Sequence, residues 1–327
     1  MPPSATQGTP RRAGSPFTGL GPVFMKELSD HLSSVRMSVL TLFVIAFGAL
    51  PVAFALQDLR NVVLSDPYLF LRIFTVAPER VGLSFIVALN FVIPLMAIGL
   101  GFDSVNSEFN RRTLSRVLSQ PIYRDALLLG KFLGGLATLA VALVALWLIV
   151  LGSGLLLLGL PPRGVEVARG VGFLIVAIAY GGVWLAVSMF FSVVFRSTAT
   201  SALCALGLWL FFLILWPMIA SAITLGFAPT QITSIDQYTN LQELGLALQR
   251  LSPGTLFSEA VVGLLNPETR TLSFVLPVQM RGAIPEAPLP LDQSLLMIWP
   301  QVTGLIASMI VVFAAAYVIF QREEVRA

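Results

Sequence analysis

Long apolar runs separated by short polar stretches dominate this chain, and their lengths predict what they do. Six runs, at residues 38–56, 81–101, 132–160, 171–195, 199–227 and 298–320, consist mostly of Leu, Val, Ile, Ala, Phe and Gly. A helix needs roughly 20 apolar residues to cross the hydrocarbon core of a bilayer, so each run is expected to span a membrane. Helix is the expected form because a segment in lipid must satisfy its own backbone hydrogen bonds. Pro51 and Pro94 fall inside the first two runs, where neighbouring helices can satisfy the freed carbonyls. Upstream, Phe24, Leu28, Leu32 and Val35 recur at helical spacing over 23–36, on a segment that also carries Lys26 and Arg36. Its position directly before a span predicts a helix lying in the membrane interface. A cytosolic extension of the first span is the alternative.

The longest stretch outside the runs is 228–297. Leu241, Leu244, Leu248 and Leu251 repeat there at helical spacing, and Ser252-Pro253 has the form of a helix start. Residues 277–290 are proline-rich and expected to be irregular. The whole stretch is expected to form a small cap on the outer side. Residues 1–22, rich in Pro, Ser and Gly, read as a disordered tail, and 23–327 as one transmembrane domain.

Composition agrees with the pattern. Of the 327 residues, 56% are hydrophobic and 11% charged, whereas soluble domains carry about 25% charged residues; the mean hydropathy is +0.87. The net charge of +3 raises the question of nucleic acid, but in a membrane protein basic residues collect in cytoplasmic loops. Of the 20 Lys and Arg, twelve (Arg11, Arg12, Lys26, Arg36, Arg111, Arg112, Arg116, Arg124, Lys131, Arg196, Arg322 and Arg326) lie on the side of the termini. The other side holds the remaining eight. The asymmetry predicts a multi-pass protein of the plasma or inner membrane with both termini cytoplasmic, and no nucleic-acid partner.

Several chemistries drop out. The core of each predicted span is free of charged residues and His, whereas ion-coupled carriers use such groups for their pathway. The single His31 and single Cys204 cannot build a soft-metal site. His31 is expected to be a solvated surface residue. "GSG" at 152–154 reads as a packing notch, and Gly130 with Gly134 as a close helix contact within the bundle. Asn90 and Pro94 could mark a substrate path, but an Asn in a span more often makes an interhelical hydrogen bond. No phosphate-binding G-x-x-x-x-G-K-[ST] occurs, since Gly130-Lys131 is followed by Phe132. No cofactor is therefore expected in this chain, and any energy must come from another subunit.

The most informative stretch is "NSEFNRRTLSRVLSQPIYRDALLLGK", between the second and third runs. Val105, Phe109, Leu114, Val117 and Leu118 follow a helical pattern that stops at Pro121, and Glu108 precedes Arg112 by four residues. A topological anchor would explain the arginines, but not an amphipathic helix ending in proline; that combination predicts a docking element. The stretch resembles the E-x-x-x-R-T-L … P-x-x-R … G-K signature of type-2 ABC permeases, in the branch of the nitrous-oxide-reductase maturation and gliding-motility permeases. Here the matching residues are Glu108, Arg112, Thr113, Leu114, Pro121, Arg124, Gly130 and Lys131, with "KEL" at 26–28 and the terminal "FQREEV" in support.

The resemblance implies an all-α membrane fold of six spans, an N-terminal interfacial helix, and a cytoplasmic coupling helix between spans two and three. It also implies a dimer of permeases with two separate ATPase subunits. The ATPase-coupling residues would be Glu108, Arg111, Arg112, Thr113, Leu114, Val117, Leu118, Pro121 and Arg124. The expected function is an ATP-driven exporter permease, with ATP hydrolysis left to the partner chain. Two other readings stand beside it: a permease that transmits ATPase work to a periplasmic accessory protein, and a structural membrane subunit without transport.

Overall fold

The computed structural model describes residues 19–59, 68–78, 82–110, 124–159, 161–229, 234–269, 271–272 and 288–322. Among them every regular element is helical: α1 Leu20–Ser33, α2 Val35–Leu59, α3 Leu69–Thr75, α4 Phe85–Gly101, α5 Asn106–Asn110, α6 Arg124–Leu158, α7 Gly164–Val194 and α8 Thr198–Leu210. A π-helical turn, Phe211–Leu215, joins α8 to α9 Trp216–Gly226; α10 Ile235–Gln249, α11 Pro253–Leu265 and α12 Leu291–Arg322 follow. Six helices are long and apolar enough to cross a membrane, as expected for an all-α integral membrane protein. They are α2, α4, α6, α7, the α8–α9 pair and α12. The end of α12 returns to the start of α6, where Gln321 bonds Asp125; α1 lies at the same end. We call this the terminal face.

Local sequence explains where helices start. Ser84, Ser197 and Ser234 each accept a backbone N–H at 3.2–3.3 Å, from Val87, Thr200 and Gln237. Such caps satisfy donors that a first turn leaves unpaired. At the head of α7, Glu166 Oε2 accepts the Arg163 N–H at 2.7 Å. Between α1 and α2 the chain breaks at Ser34, whose ψ of 129° is extended. The expected interfacial helix therefore ends at Ser33, and Val35 and Arg36 belong to the first span instead.

The central helix is α7, packed by α4, α6, α8, α11 and α12. Small residues let its neighbours approach. A Cβ on Gly181 would lie 2.7 Å from Leu139 of α6 and 3.0 Å from Ile93 of α4, and one on Gly101 would lie 2.9 Å from Ser188 Cβ and 3.2 Å from the Leu185 carbonyl. Helices in lipid gain little from burying apolar surface against each other, so close van der Waals contact carries the association. Gly154 of "GSG" does act as a notch, with Phe70 of α3 set against it at 2.7 Å from a built Cβ. Outward, Leu42, Leu203, Leu296 and Val311 are 66–77% exposed, as lipid-facing residues should be.

Spans run longer than hydropathy alone implied, which brings charge into them. α7 begins at Gly164, so Arg169 is inside it, 0% exposed. It lies two residues outside the predicted run 171–195, near one end of the helix and not in the core of that run. The guanidinium donates to the carbonyls of Leu264 (2.7 Å) and Leu289 (2.5 Å) and to Ser294 Oγ (3.1 Å). It thus ties the end of α11 and the approach to α12 onto α7. A long side chain with five donors suits carbonyls left open at a helix C-terminus.

Of the segment expected to cap the bundle, α11 is instead buried in it. Trp216 Nε1 donates to the Leu248 carbonyl at 2.9 Å, holding α10 along α9. α11 is sunk deeper: Phe257, Ala260, Val261 and Leu264 are 0% exposed, and Phe257 stacks on Tyr180 at 4.5 Å. In the antiparallel α6–α7 pair, Gly135 faces Leu185 and Gly181 faces Leu139, which puts Lys131 level with Met189. From there to Arg169 is about 30 Å at the helical rise, the thickness of a hydrocarbon core. Tyr180 lies near the middle of that distance, so the hairpin of α10 and α11 brings Phe257 to about the midpoint of α7. Arg250 and Glu259, paired at 2.9 Å, ride in with it, and Gln301 of α12 donates to the same carboxylate at 2.8 Å.

Candidate functional site

Three charged residues far apart in sequence meet at the terminal face. Lys131, about two turns into α6, places its ammonium 2.8 Å from Glu27 Oε1 of α1 and 2.7 Å from Glu108 Oε1 of α5. The three side chains are 5%, 11% and 17% exposed. A cation between two carboxylates at this burial is a strong constraint, because removing the cation would leave like charges facing each other out of water.

Glycines make the meeting feasible. A Cβ on Gly130 would lie 2.7 Å from Val23 Cγ1, and one on Gly134 2.8 Å from Glu27 Cβ. This pair was expected to pack helices within the bundle; it packs α6 against α1. The buried side of α1 is accordingly Val23 and Glu27, with Phe24 and Leu28 half-buried. Leu32 is 52% exposed, and Lys26 turns outward to pair with Asp30 at 2.9 Å.

α5, the start of the basic loop, is fastened on three further sides. Ser192 Oγ of α7 accepts the N–H groups of Val105 (3.0 Å) and Asn106 (3.2 Å). Asn110 Nδ2 donates to the Arg196 carbonyl at 3.0 Å, and the Arg196 guanidinium sits 4.4 Å over the Phe109 ring. Arg36 forms a two-pronged pair with Asp103 at 2.6 and 3.3 Å. A load on α5 therefore reaches α6 and α7 directly, α1 by way of Lys131, and α2 through Asp103 in the turn before α5.

Beside the cluster lies a polar cleft of about 460 Å³ lined by Lys26, Asp30, His31, Arg36, Asp103 and Glu108 among others. Its charges shape the titration of its walls. Burial pushes the Glu27 carboxyl up, but the Lys131 ammonium and its hydrogen bond outweigh this, so its pKa falls below the usual carboxylate range. Burial together with the Arg36 and Lys131 charges pushes the His31 pKa down, against the pull of Glu27. His31 is thus half-buried in a charged cleft, which corrects its reading as a solvated surface residue.

Of the residues singled out from sequence, Glu108 is in the cluster. Arg111, Arg112, Thr113, Leu114, Val117, Leu118 and Pro121 lie outside the described residues, as does the side chain of Arg124. Glu27 entered only as the middle of "KEL" and with no role given to it, and Lys131 was chosen only for its motif and its charge. The available signal was that Glu27 shares a helical face with Val23 and Phe24, an odd place for an unpaired carboxylate. Asn90 does make interhelical bonds: Tyr180 Oη donates to Asn90 Oδ1 at 2.7 Å, and Asn90 Nδ2 donates to Ser258 Oγ at 3.4 Å. Pro94 is buried in α4. Among the described residues, no group of three or more His, Cys, Asp or Glu is placed to hold a metal.

Comparison with known proteins bears on this arrangement. The family described as ABC-2 family transporter protein matches residues 22–325. A protein of Pseudomonas aeruginosa titled "Probable ABC transporter permease protein NosY" is 37% identical over 155 residues, 46% of this chain and 54% of that protein. One of the same title from Stutzerimonas stutzeri is 32% identical over 137 residues, 41% of this chain and 48% of the relative. The matches thus span about half the length of each relative. With the family match running across nearly the whole of it, the chain belongs to the ABC-2 family of transporter proteins.

Proposed function

We propose that this chain is the permease subunit of an ATP-driven ABC exporter in the plasma or inner membrane, with both termini in the cytoplasm. Separate ATPase subunits would bind ATP and Mg and dock on the basic stretch following α5, and a second permease copy would complete the pathway. The observation that carries the reading is the junction of Glu27, Lys131 and Glu108. Force delivered to the loop would pass through Glu108 to α6 and α1, and through Ser192 to α7. The spans would then move as bodies and open the pathway on the far side. A permease passing ATPase work to an accessory protein beyond the membrane is the second reading. It is favoured by the way Arg169 locks the hairpin to the central helix.

The test is purification of the tagged chain from its native membranes under mild detergent. An ATPase subunit should come with it, and ATP hydrolysis should reside in that subunit. ATP turnover by the isolated chain, or purification with no ATPase partner, would overturn the proposal. Substrate movement in vesicles, present or absent while hydrolysis continues, separates export from force transmission.

A further inference from the structure

The cleft of about 460 Å³ at the terminal face carries hydrogen-bonding groups that the protein itself leaves unused. Its size falls in the range of small-ligand pockets, roughly 300–1,000 Å³. On α1, Glu27, Asp30 and His31 follow one helical face at positions i, i+3 and i+4. Glu27 spends Oε1 on Lys131, and Asp30 spends Oδ2 on Lys26. Among the described residues the second oxygen of each has no hydrogen-bond partner, and neither is sealed from solvent. The half-buried His31 imidazole has no partner among them either. Burial and the Arg36 and Lys131 charges hold it neutral at neutral pH, which leaves one ring nitrogen as an acceptor.

These acceptors call for a cation. Among the described residues no three of His, Cys, Asp or Glu are placed to hold a metal ion. A primary ammonium, with three N–H donors, can bond any two of the acceptors and keep one donor for water. Unused donors line the same cleft. Lys26 has a third N–H, Arg36 its Nε–H and Ser107 its hydroxyl, none of them bonded to a described group. The remaining carboxylates, Asp103 and Glu108, already face Arg36 and Lys131. Four carboxylates against three Lys and Arg line the space, so a purely anionic ligand would meet surplus negative charge.

We infer that the cleft holds the phosphoethanolamine head of a membrane lipid, its ammonium against α1 and its phosphate toward Arg36 and Ser107. Only a zwitterion with N–H donors satisfies both sets of groups together. Lys131 stands at one end of the stretch of about 30 Å that matches a hydrocarbon core, which sets the cleft at headgroup level. Val35, between the lining residues Ser34 and Arg36, is exposed, as is Val39 one turn further along α2. They give the lipid's chains an apolar path leading from the cleft. A head bound there bridges α1 to α5 beside the Lys131 junction. None of this depends on the ATPase docking proposed above.

The experiment incubates the purified full chain in detergent with phosphatidylethanolamine, phosphatidylcholine or phosphatidylglycerol of identical acyl chains. Retained lipid is counted by native mass spectrometry. Phosphatidylcholine keeps the zwitterion without an N–H donor, and phosphatidylglycerol keeps the phosphate without a cation. Phosphatidylethanolamine should be retained saturably and about fivefold more tightly than either, the worth of one hydrogen bond. Asp30→Asn and His31→Leu should each weaken it about fivefold. The Asp30 pair with Lys26 is exposed and contributes little, so Asn there should leave the fold intact. Equal retention of the three lipids, or a preference for phosphatidylglycerol, overturns the inference. So does a phosphatidylethanolamine preference that survives both variants. Free phosphoethanolamine at the same concentration should not displace the lipid; displacement would make the cleft a solute site and the lipid the wrong occupant.

Discussion

Lys131 Nζ sits 2.8 Å from Glu27 Oε1 across 104 residues of chain, and this contact joins the N-terminal helix α1 to a span. Its strength comes from burial, since an exposed pair of the same length would contribute little. Lys131→Met should therefore leave Glu27 and Glu108 as facing buried carboxylates. We predict a loss of about 3–5 kcal/mol, seen as a lower unfolding temperature in detergent and as protease sensitivity of α1. A Glu27→Gln, Lys131→Met double variant should recover part of the loss; if it is no more stable than Lys131→Met alone, the charges are not coupled.

Acid should loosen the same junction, and the sign follows from the two shifted groups. The His31 pKa is lowered from 6.5, so below that pH the unfolded chain takes up the proton first and stability falls. The Glu27 pKa is lowered from 4.5, so its contribution is complete above that pH and is lost as pH falls through the lower folded value. The unfolding temperature should be flat above neutrality, decline gently below about pH 6.5, and fall more steeply below pH 4.5. Glu27→Gln should remove the steep limb and leave the gentle one.

Two glycine substitutions of identical chemistry should differ in outcome. Gly152 has nothing within 4 Å of a built Cβ; Ala there should be neutral or stabilising by up to about 1 kcal/mol. Gly101→Ala must push against Ser188 and the backbone carbonyl of Leu185, and should cost about 1–3 kcal/mol. Equal unfolding temperatures for the two variants would show that α4 and α7 do not pack this closely.

Arg169→Lys is expected to fail as a conservative change. One ammonium cannot reproduce the fork that reaches the carbonyls of Leu264 and Leu289. Leaving one carbonyl unpaired should cost about 1–3 kcal/mol, and hydrogen exchange should rise in α11 before it rises in α7.

Coupling is probed by Leu114→Asp, which would set a carboxylate into the proposed ATPase contact. Membrane insertion should be unchanged, while ATPase co-purification falls or hydrolysis becomes uncoupled from transport. A variant that keeps its partner and full coupled activity would reduce the basic loop to a topology signal.

The six spans could be read from sequence because a bilayer makes the rule local. Any run such as 132–160 that is apolar for long enough must form a helix to satisfy its own backbone, whatever the rest of the chain does. The α11 start at Ser252-Pro253 was legible for the same reason, as a proline at the first helical position acts on its own turn. What lay beyond reach was pairing. Glu27 looked like one more polar residue on a surface helix, and Lys131 like a topology charge, because their environment is made by glycines and helices remote in sequence. Arg169 looked like a flank because hydropathy marks where apolar residues stop, not where the helix stops. The segment 228–297 was read as a cap because its length and mixed polarity carry no depth. The burial of α11 came from the cleft between α4, α7 and α12, which exists only once those helices have packed.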